Sequence, residues 1–276
     1  MTLQTALLQG TQLLEEGAVS APRLTAEVLL AHALRRERSY LYAHSDEELT
    51  ETGWIHYGRY LHQRLQGKPT QYITCRQEFY GREFQVTPDV LIPRPETEHL
   101  VEAAKARIQP GDLVVDVGTG SGAIAVTVAL ETGARVLATD ISTAALGVAI
   151  RNARRLSARV AFAASDLAAC IADRQIDMLV SNPPYVPETD RPVIQREVRD
   201  YEPHIALFAG PTGLEIYQRL IAEARRVLKP QGWLLLELGY NSVEPVRAML
   251  QTGWSEIQVQ PDLAGLPRVL AARLLA

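Results

Sequence analysis

The feature that most constrains this chain is the turn Leu113-Val-Val-Asp116-Val-Gly118-Thr119-Gly120-Ser121-Gly122. A short apolar run stops at three glycines on alternate positions and passes into a helix expected at 121–132. A strand that enters a helix through a glycine turn belongs to a fold in which parallel strands are joined by helical crossovers. Glycine permits the tight turn and lets a ligand approach the main chain closely. The helix start that follows offers unpaired N–H groups and a partial positive charge. The next strand ends in Asp140, 22 residues beyond Gly118. A carboxylate there can accept hydrogen bonds from both hydroxyls of a ribose.

The same alternation runs from Pro95 to the C-terminus. Strands are expected at 112–117, 135–139, 159–163, 176–181, 232–238, 254–260 and 267–274, and helices at 95–108, 121–132, 142–155, 213–228 and 241–252. That order predicts an α/β fold: a mostly parallel seven-stranded, Rossmann-like sheet covered on both faces. Only the last two strands share a short loop, so the final strand is expected to be antiparallel.

The first seventy residues read differently. Leu3, Leu7, Leu13 and Leu14 fall near one helical face. A second helix, with Ser20 as N-cap and Pro22 in its first turn, runs through Leu24, Val28 and Ala31. A third spans 50–65 and stops at Gly67 with Pro69 beyond. Residues 71–92 place Tyr72, Ile73, Phe79, Tyr80, Phe84, Val86, Val90 and Ile92 around Gly81, the pattern of a linking β-hairpin. The expected domains are therefore a helical bundle at 1–70, a hairpin linker at 71–92 and a catalytic domain at 93–276.

Composition narrows the function. The net charge is −4, and the helical segment holds seven basic residues against eight acids. A protein that grips a phosphate backbone is usually basic, so no direct nucleic-acid contact is expected, and the near-balance of the helical segment suits a protein-docking module or a plain cap on the main domain. Cys75 and Cys170 are the two cysteines, too few and too far apart for a disulfide framework or a thiolate zinc site. The six histidines show no metal-ligand spacing. The N-terminus lacks the pattern of a secretory signal, and the longest apolar stretch, around Ala123–Leu130, is too short to span a bilayer. A cytoplasmic protein with no membrane association is expected.

A second motif, Ser181-Asn182-Pro183-Pro184-Tyr185, closes the fourth strand of this set. Ligands of open α/β sheets bind beyond the carboxyl ends of the strands, so this turn and the glycine turn open on one crevice. Two prolines fix the backbone and remove two donors. The Asn182 side-chain oxygen and the Pro183 carbonyl can each accept one N–H of a planar NH2 group, and Tyr185 can stack on its conjugated plane. Such a nitrogen is a poor nucleophile, and holding its lone pair towards an activated methyl group is catalysis by alignment. The glycine spacing alone leaves two nucleosides open. Gly118, Gly120 and Ala123 satisfy the relaxed dinucleotide fingerprint, whereas Gly118, Gly120 and Gly122, with Asp116 two residues earlier, match the tighter pattern of S-adenosylmethionine enzymes.

Taken with these motifs, Gly67-Lys-Pro-Thr-Gln-Tyr-Ile-Thr, Glu78-Phe-Tyr-Gly, Val90-Leu-Ile-Pro-Arg94-Pro-Glu96-Thr-Glu98 and Tyr201-Glu-Pro-His-Ile-Ala-Leu207 resemble the blocks of the bacterial peptide chain release factor N5-glutamine methyltransferases. The resemblance runs from about Ala26 to the C-terminus. It implies transfer of a methyl group from S-adenosyl-L-methionine, leaving S-adenosyl-L-homocysteine, to the glutamine side chain in the Gly-Gly-Gln motif of peptide chain release factors. By the same resemblance Gly118, Thr119, Gly120, Ser121 and Gly122 cradle the methionine part and Asp140 holds the ribose. Asp166 and Leu167 flank the adenine, Asn182 also borders the cofactor, Asn182, Pro183, Pro184 and Tyr185 hold the glutamine, and no metal takes part. Arg94 and Glu96 either shape the substrate crevice or pin the hairpin.

Three rivals share parts of the pattern. An N6-adenine methyltransferase uses a similar turn but must extrude a base and bind phosphates. The one tight arginine cluster, Arg151, Arg154 and Arg155, sits near a helix end, where the dipole favours cations anyway. A nicotinamide-linked oxidoreductase has no use for Asn182–Tyr185. A non-catalytic translation-factor-binding protein has no need of both motifs intact.

Overall fold

The computed structural model describes residues 1–276. Two compact units emerge, one formed by Met1–Arg76 with Gln195–Tyr201, the other by Gln77–Ile194 with Glu202–Ala276.

The first unit is helical: α1 (Leu3–Glu16), α2 (Pro22–Leu34), α3 (Arg38–Ala43), α4 (Glu51–Leu65) and α5 (Thr70–Thr74). Thr2 and Thr50 cap α1 and α4, their side chains accepting from the N–H groups of Thr5 and Gly53. Helix α2 departs from expectation. Ala21, not Ser20, takes the capping position in a left-handed conformation with no side-chain cap, because Pro22 already supplies the first turn and sets Ser20 one residue outside. Leu3, Leu7, Leu14, Leu29, Leu30, Tyr57 and Leu61 make the core of this unit. Leu13 and Leu24 are exposed; Leu13 lies about 100° around the helix from the buried Leu14. Residues 71–74 are helical, so the hairpin begins only at Arg76. The helices α3 and α5, too short to show a period, have no counterpart in the sequence reading.

The second unit begins at Gln77, within the hairpin of β1 (Arg76–Phe79) and β2 (Arg82–Gln85), which an edge-to-face pair of Phe79 and Phe84 anchors. One 3-10 turn, Pro95–Thr97, leads into α6 (Glu98–Lys105), where one continuous helix at 95–108 was expected. The alternation then proceeds as β3 (Leu113–Val117), α7 (Ala123–Thr132), β4 (Arg135–Asp140), α8 (Thr143–Arg155), β5 (Val160–Ala164) and β6 (Ile176–Ser181). The long connection at 186–211 is not featureless: it carries a two-residue strand β7 (Val186–Pro187), the helix α9 (Arg196–Tyr201) and the strand β8 (Phe208–Gly210) that pairs with β7. The chain ends with α10 (Glu215–Val227), β9 (Leu228–Glu237), α11 (Val243–Met249), β10 (Trp254–Pro261) and β11 (Pro267–Leu274).

The sheet has seven strands in the order β10-β11-β9-β6-β3-β4-β5. It is parallel from β9 to β5, and β11 runs antiparallel to both its neighbours, as the short final loop predicted. Alternation along the strands builds two cores. Val114, Met178, Val180 and Ala271 pack with α6, α7 and the hairpin on one face; Val115, Val117, Leu179 and Leu270 pack with α10 and α11 on the other. From β3 the chain winds outward through β4 and β5, then returns to place β6 on the other side of β3. The strand order therefore reverses between β3 and β6, and a crevice opens beyond their carboxyl ends.

Candidate active site

Four strands end at this crevice. Beyond β3 lie Gly118 and Gly120, with φ of +74° and +55° and open space where a side chain would stand. These are the positions at which a ligand can approach bare main chain. Gly122 is constrained differently: at φ +82°, a Cβ would lie 3.1 Å from the Cβ of Ala149 on α8, so this glycine serves helix packing. The loop is held from below. Gly118 and Thr119 donate to the Thr139 carbonyl at 2.9 and 3.0 Å, and Gly122 donates to the Thr119 carbonyl at 2.8 Å. Asn152, buried on α8, donates to the carbonyls of Ser121 and Gln85 at 2.9 Å and accepts from the Gln85 N–H at 2.8 Å. Thr119 and Ser121 are buried and build the turn rather than face the crevice.

Asp116, fully buried on β3, accepts from the Thr119 hydroxyl at 2.6 Å and from the Ala125 N–H at 3.1 Å through Oδ2. Its Oδ1 has no partner. Burial pushes this carboxyl up to about 7, against the pull of those two hydrogen bonds.

At the end of β4, Asp140 accepts from the Gly120 N–H and the Ser142 N–H, both at 2.9 Å, one on each oxygen. At the end of β5, the Thr139 hydroxyl holds the Leu167 carbonyl at 3.1 Å and steadies that residue in a left-handed turn, while Arg219 pairs with Asp166 at 2.6 Å. A cavity of about 230 Å³ is lined by Gly118, Gly120, Asp140, Asp166, Leu167, Asn182 and Pro184 together, and by Val90, Ile141 and Ile205.

Beyond β6, the Asn182 amide group donates to the Thr97 hydroxyl at 3.1 Å. That leaves Oδ1 as the open acceptor of a side chain lining the cavity. Pro183 is buried. Tyr185 faces a second cavity, of about 370 Å³, with Gly213, Gly239 and Tyr240; its hydroxyl reaches Glu237 Oε1 at 3.4 Å, and burial raises its pKa. Gly239 admits the ring, since a Cβ there would lie 2.8 Å from Tyr185 Cδ2.

The cavity combines bare glycine main chain at Gly118 and Gly120, the Asp140 carboxylate at the neighbouring strand end and the apolar side chains of Ile141 and Leu167. Comparison with known proteins gives the family. A family model described as the PrmC N-terminal domain matches residues 5–74, and one described as the methyltransferase small domain matches residues 95–200. The chain is 47% identical to the release factor glutamine methyltransferase of Koribacter versatilis, over 99% of each chain. It is 42% identical to that of Nitratidesulfovibrio vulgaris over 99% of this chain and 95% of the relative, and 43% identical to that of Neisseria gonorrhoeae over 94% and 96%. The chain belongs to the release factor glutamine methyltransferase family. S-adenosylmethionine use follows from that membership, and the intact cradle fits it.

Solved structures bear on the fold alone. A methyltransferase from Pyrococcus furiosus superposes with a TM-score of 0.54 at 19% identity, covering 71% of this chain and 90% of that one. A T. thermophilus 16S rRNA methyltransferase in complex with AdoMet and guanosine gives 0.53 at 20%, covering 72% and 49%. This member of the glutamine methyltransferase family thus has the α/β methyltransferase sheet.

Several residues of this site escaped the sequence reading. Glu202, 3% exposed, accepts from the Ile92 N–H at 3.1 Å and pairs with Arg94. Arg94 therefore ties the segment after the hairpin to the Pro203–Ala206 wall of the cavity. Thr97 stands behind Asn182 as its hydrogen-bond acceptor, and the Glu237 carboxylate lies against the Tyr185 hydroxyl. Thr97 lies in the Pro-Arg-Pro-Glu-Thr-Glu block and Glu202 in the Tyr-Glu-Pro-His block, so their sequence signal was present without a role, whereas Arg94 was read there as shaping the crevice or pinning the hairpin. Glu237 ends the apolar run Leu234-Leu-Leu as Asp140 ends its own strand, a pattern that marked the one and was not applied to the other.

Proposed function

We propose that this chain transfers a methyl group from S-adenosylmethionine to the side-chain amide nitrogen of the glutamine in the Gly-Gly-Gln motif of peptide chain release factors. The observation that carries the reading is the orientation of Asn182: its NH2 is committed to Thr97, and its carbonyl oxygen is left to accept a substrate N–H. When bound, S-adenosylmethionine supplies an electrophilic methyl group on a sulfonium, so the protein need provide neither a nucleophile nor a metal.

In this reading Gly118 and Gly120 pass the methionine part along bare main chain, with Thr119, Ser121 and Gly122 shaping the turn. Asp140 takes the ribose hydroxyls, and Ile141, Asp166 and Leu167 border the adenine. Asn182 Oδ1 and the Pro183 carbonyl each accept one N–H of the substrate amide. Those two bonds orient the nitrogen with its lone pair away from the acceptors and towards the methyl donor. Tyr185 and Pro184 bound the turn on opposite sides. Such orientation can supply effective molarities of about 10⁵–10⁸ M. The helical unit is the docking module for the release factor.

The test is to incubate the protein with S-adenosylmethionine and a bacterial release factor and to map the product by peptide mass spectrometry. One added methyl on the Gly-Gly-Gln glutamine is expected. Asn182→Ala should lower turnover by about 100-fold or more, the scale seen when one hydrogen-bonding group is removed from a reacting centre, while cofactor binding by calorimetry persists. Labelling of DNA or RNA in place of the release factor would replace the reading with the adenine rival.

A further inference from the structure

A rigid turn is only as well placed as its two ends. Pro183 and Pro184 fix the backbone between Asn182 and Tyr185, so a shift at one end carries through to the acceptor atoms. The first end is tied to the sheet and to the segment before α6. The Ser181 hydroxyl donates to the Val117 carbonyl at 2.7 Å, and the Asn182 amide donates to the Thr97 hydroxyl at 3.1 Å. The second end is Tyr185. Asn182 and Pro184 line the cavity of about 230 Å³, whereas Tyr185 lines the other cavity. Its ring packs against Gly239 of the protein itself.

The seat for that ring is built just beyond β9. A Cβ on Gly239 would stand 2.8 Å from Tyr185 Cδ2 and 3.3 Å from Cγ. Gly239 is not among the glycines with positive φ, so the close approach of the ring, not the backbone conformation, requires glycine here. The segment is fastened on both sides of Leu238. Tyr217, fully buried on α10, donates its hydroxyl proton to the Glu237 carbonyl at 2.8 Å and accepts from the Gly239 N–H at 3.2 Å. The Ser242 hydroxyl and N–H both donate to the Gly239 carbonyl, at 2.8 and 3.1 Å. On the main-chain side of Tyr185, Gly213 comes so close that a Cβ would lie 2.6 Å from the Tyr185 carbonyl oxygen. We infer that Tyr217 and Gly239 are positioning residues: through the Tyr185 ring they set where the Asn182–Tyr185 turn stands. This inference rests on the reading of that turn as the acceptor of the substrate amide.

The size of the effect follows from the contact distances. Non-bonded carbon atoms rest about 3.5–4.0 Å apart. A methyl group at 2.8 Å from Cδ2 must therefore move the ring, or the Gly239 main chain, by about 1 Å. Tyr217 and Ser242 hold that main chain. The ring, whose hydroxyl reaches Glu237 only at 3.4 Å, is the side that yields. A displacement of about 1 Å at a reacting group can cost about 100-fold in rate. Cofactor binding is spared, because neither Gly239 nor Tyr217 lines the cavity of Gly118, Gly120 and Asp140.

The experiment is steady-state methylation of a release factor by Gly239→Ala, Tyr217→Phe, Tyr185→Phe, Tyr185→Ala, the double variant Gly239→Ala with Tyr185→Ala, and Asn182→Ala. Cofactor affinity by calorimetry and melting temperature are measured for each. Gly239→Ala should lower kcat by about 10–100-fold, with KM for the release factor and cofactor affinity unchanged. Tyr217→Phe, which releases the Gly239 N–H, should lower kcat by about 5–10-fold, the scale of one hydrogen bond. Tyr185→Phe keeps the ring and should stay within about threefold of wild type. Once the ring is gone, the added methyl has nothing to displace, so the double variant should turn over as fast as Tyr185→Ala alone. A folded, cofactor-binding Gly239→Ala with wild-type kcat, beside an inactive Asn182→Ala, would overturn the positioning role and leave the reading of the turn standing. So would a cost seen only in KM or in cofactor affinity, or one that persists in full on the Tyr185→Ala background. Full turnover by Asn182→Ala would remove both. If Gly239→Ala does not fold, Tyr217→Phe decides: wild-type kcat there overturns the inference.

Discussion

Two buried carboxyls stand near the ends of β3 and β9, strands that β6 separates in the sheet, and both are held against the cost of burial. Asp116 and Glu237 each keep one oxygen without a partner, and burial raises each to about 7. The consequence for stability has a definite sign. In the unfolded chain such groups ionise near pH 4; in the folded protein they keep their protons to about 7. Between those values the native state binds more protons than the unfolded state, so stability falls as pH rises from about 4 to 7 and levels off above. Asp116→Asn removes one of the two contributions. Scanning calorimetry across that range should show a flatter decline in the variant than in the wild type; parallel curves would mean that Asp116 does not change its charge on folding. Of the pair, Asp116 was marked in the sequence by its place before the glycines. Glu237 was not, because an acid at a strand end says nothing of what stands opposite it.

Among the elements, the connection between β6 and α10 is the least legible and the most consequential. It has no period because its pieces are two to six residues long. Its order comes from single side chains: Glu202 accepting from Ile92 and pairing with Arg94, and Gly213, which lies so close to the Tyr185 carbonyl that a Cβ would meet it at 2.6 Å. Arg94→Ala would leave the Glu202 carboxylate buried without a cation. Breaking a buried pair costs about 3–5 kcal/mol. Because Arg94 is itself one-third exposed, solvent screening puts the expected loss nearer 2 kcal/mol. Urea unfolding should read that loss, and calorimetry a weaker affinity for S-adenosylmethionine, since Pro203 and Ile205 wall the cavity. Loss of stability with unchanged affinity would confine Arg94 to pinning the hairpin.

For the whole molecule, the chain builds its helical unit from both ends of the motif order. Helix α9 joins Met1–Arg76 although it is separated from them by more than a hundred residues, through Arg64–Glu197 at 2.6 Å and the Tyr201 hydroxyl on the Gln66 carbonyl at 3.1 Å. The sheet unit has its own two cores. Deleting residues 1–70 should therefore leave S-adenosylmethionine binding within about threefold. The same deletion should weaken methylation of an intact release factor by about 10-fold or more, chiefly through KM, as expected when remote binding energy is removed. Unchanged KM would take the docking role away from the helical unit. No helix of the molecule is long and apolar enough to cross a membrane.

By itself the sequence determined the parts set by local rules. Apolar runs and period-3.6 patterns marked the seven strands and the helices between them, the glycine spacing marked the turn after β3, and Asn182 with its prolines marked the turn after β6. These are legible because steric and hydrophobic demands repeat along the chain. The pairing of Arg94 with Glu202, the approach of Tyr185 to Glu237 and the recruitment of α9 were decided only in three dimensions. Each joins residues far apart in sequence, and each depends on which atoms burial leaves facing one another. A linear pattern carries no record of that geometry. The direction in which Asn182 points belongs to this second kind: the residue was evident from the sequence, and its orientation is a property of the fold.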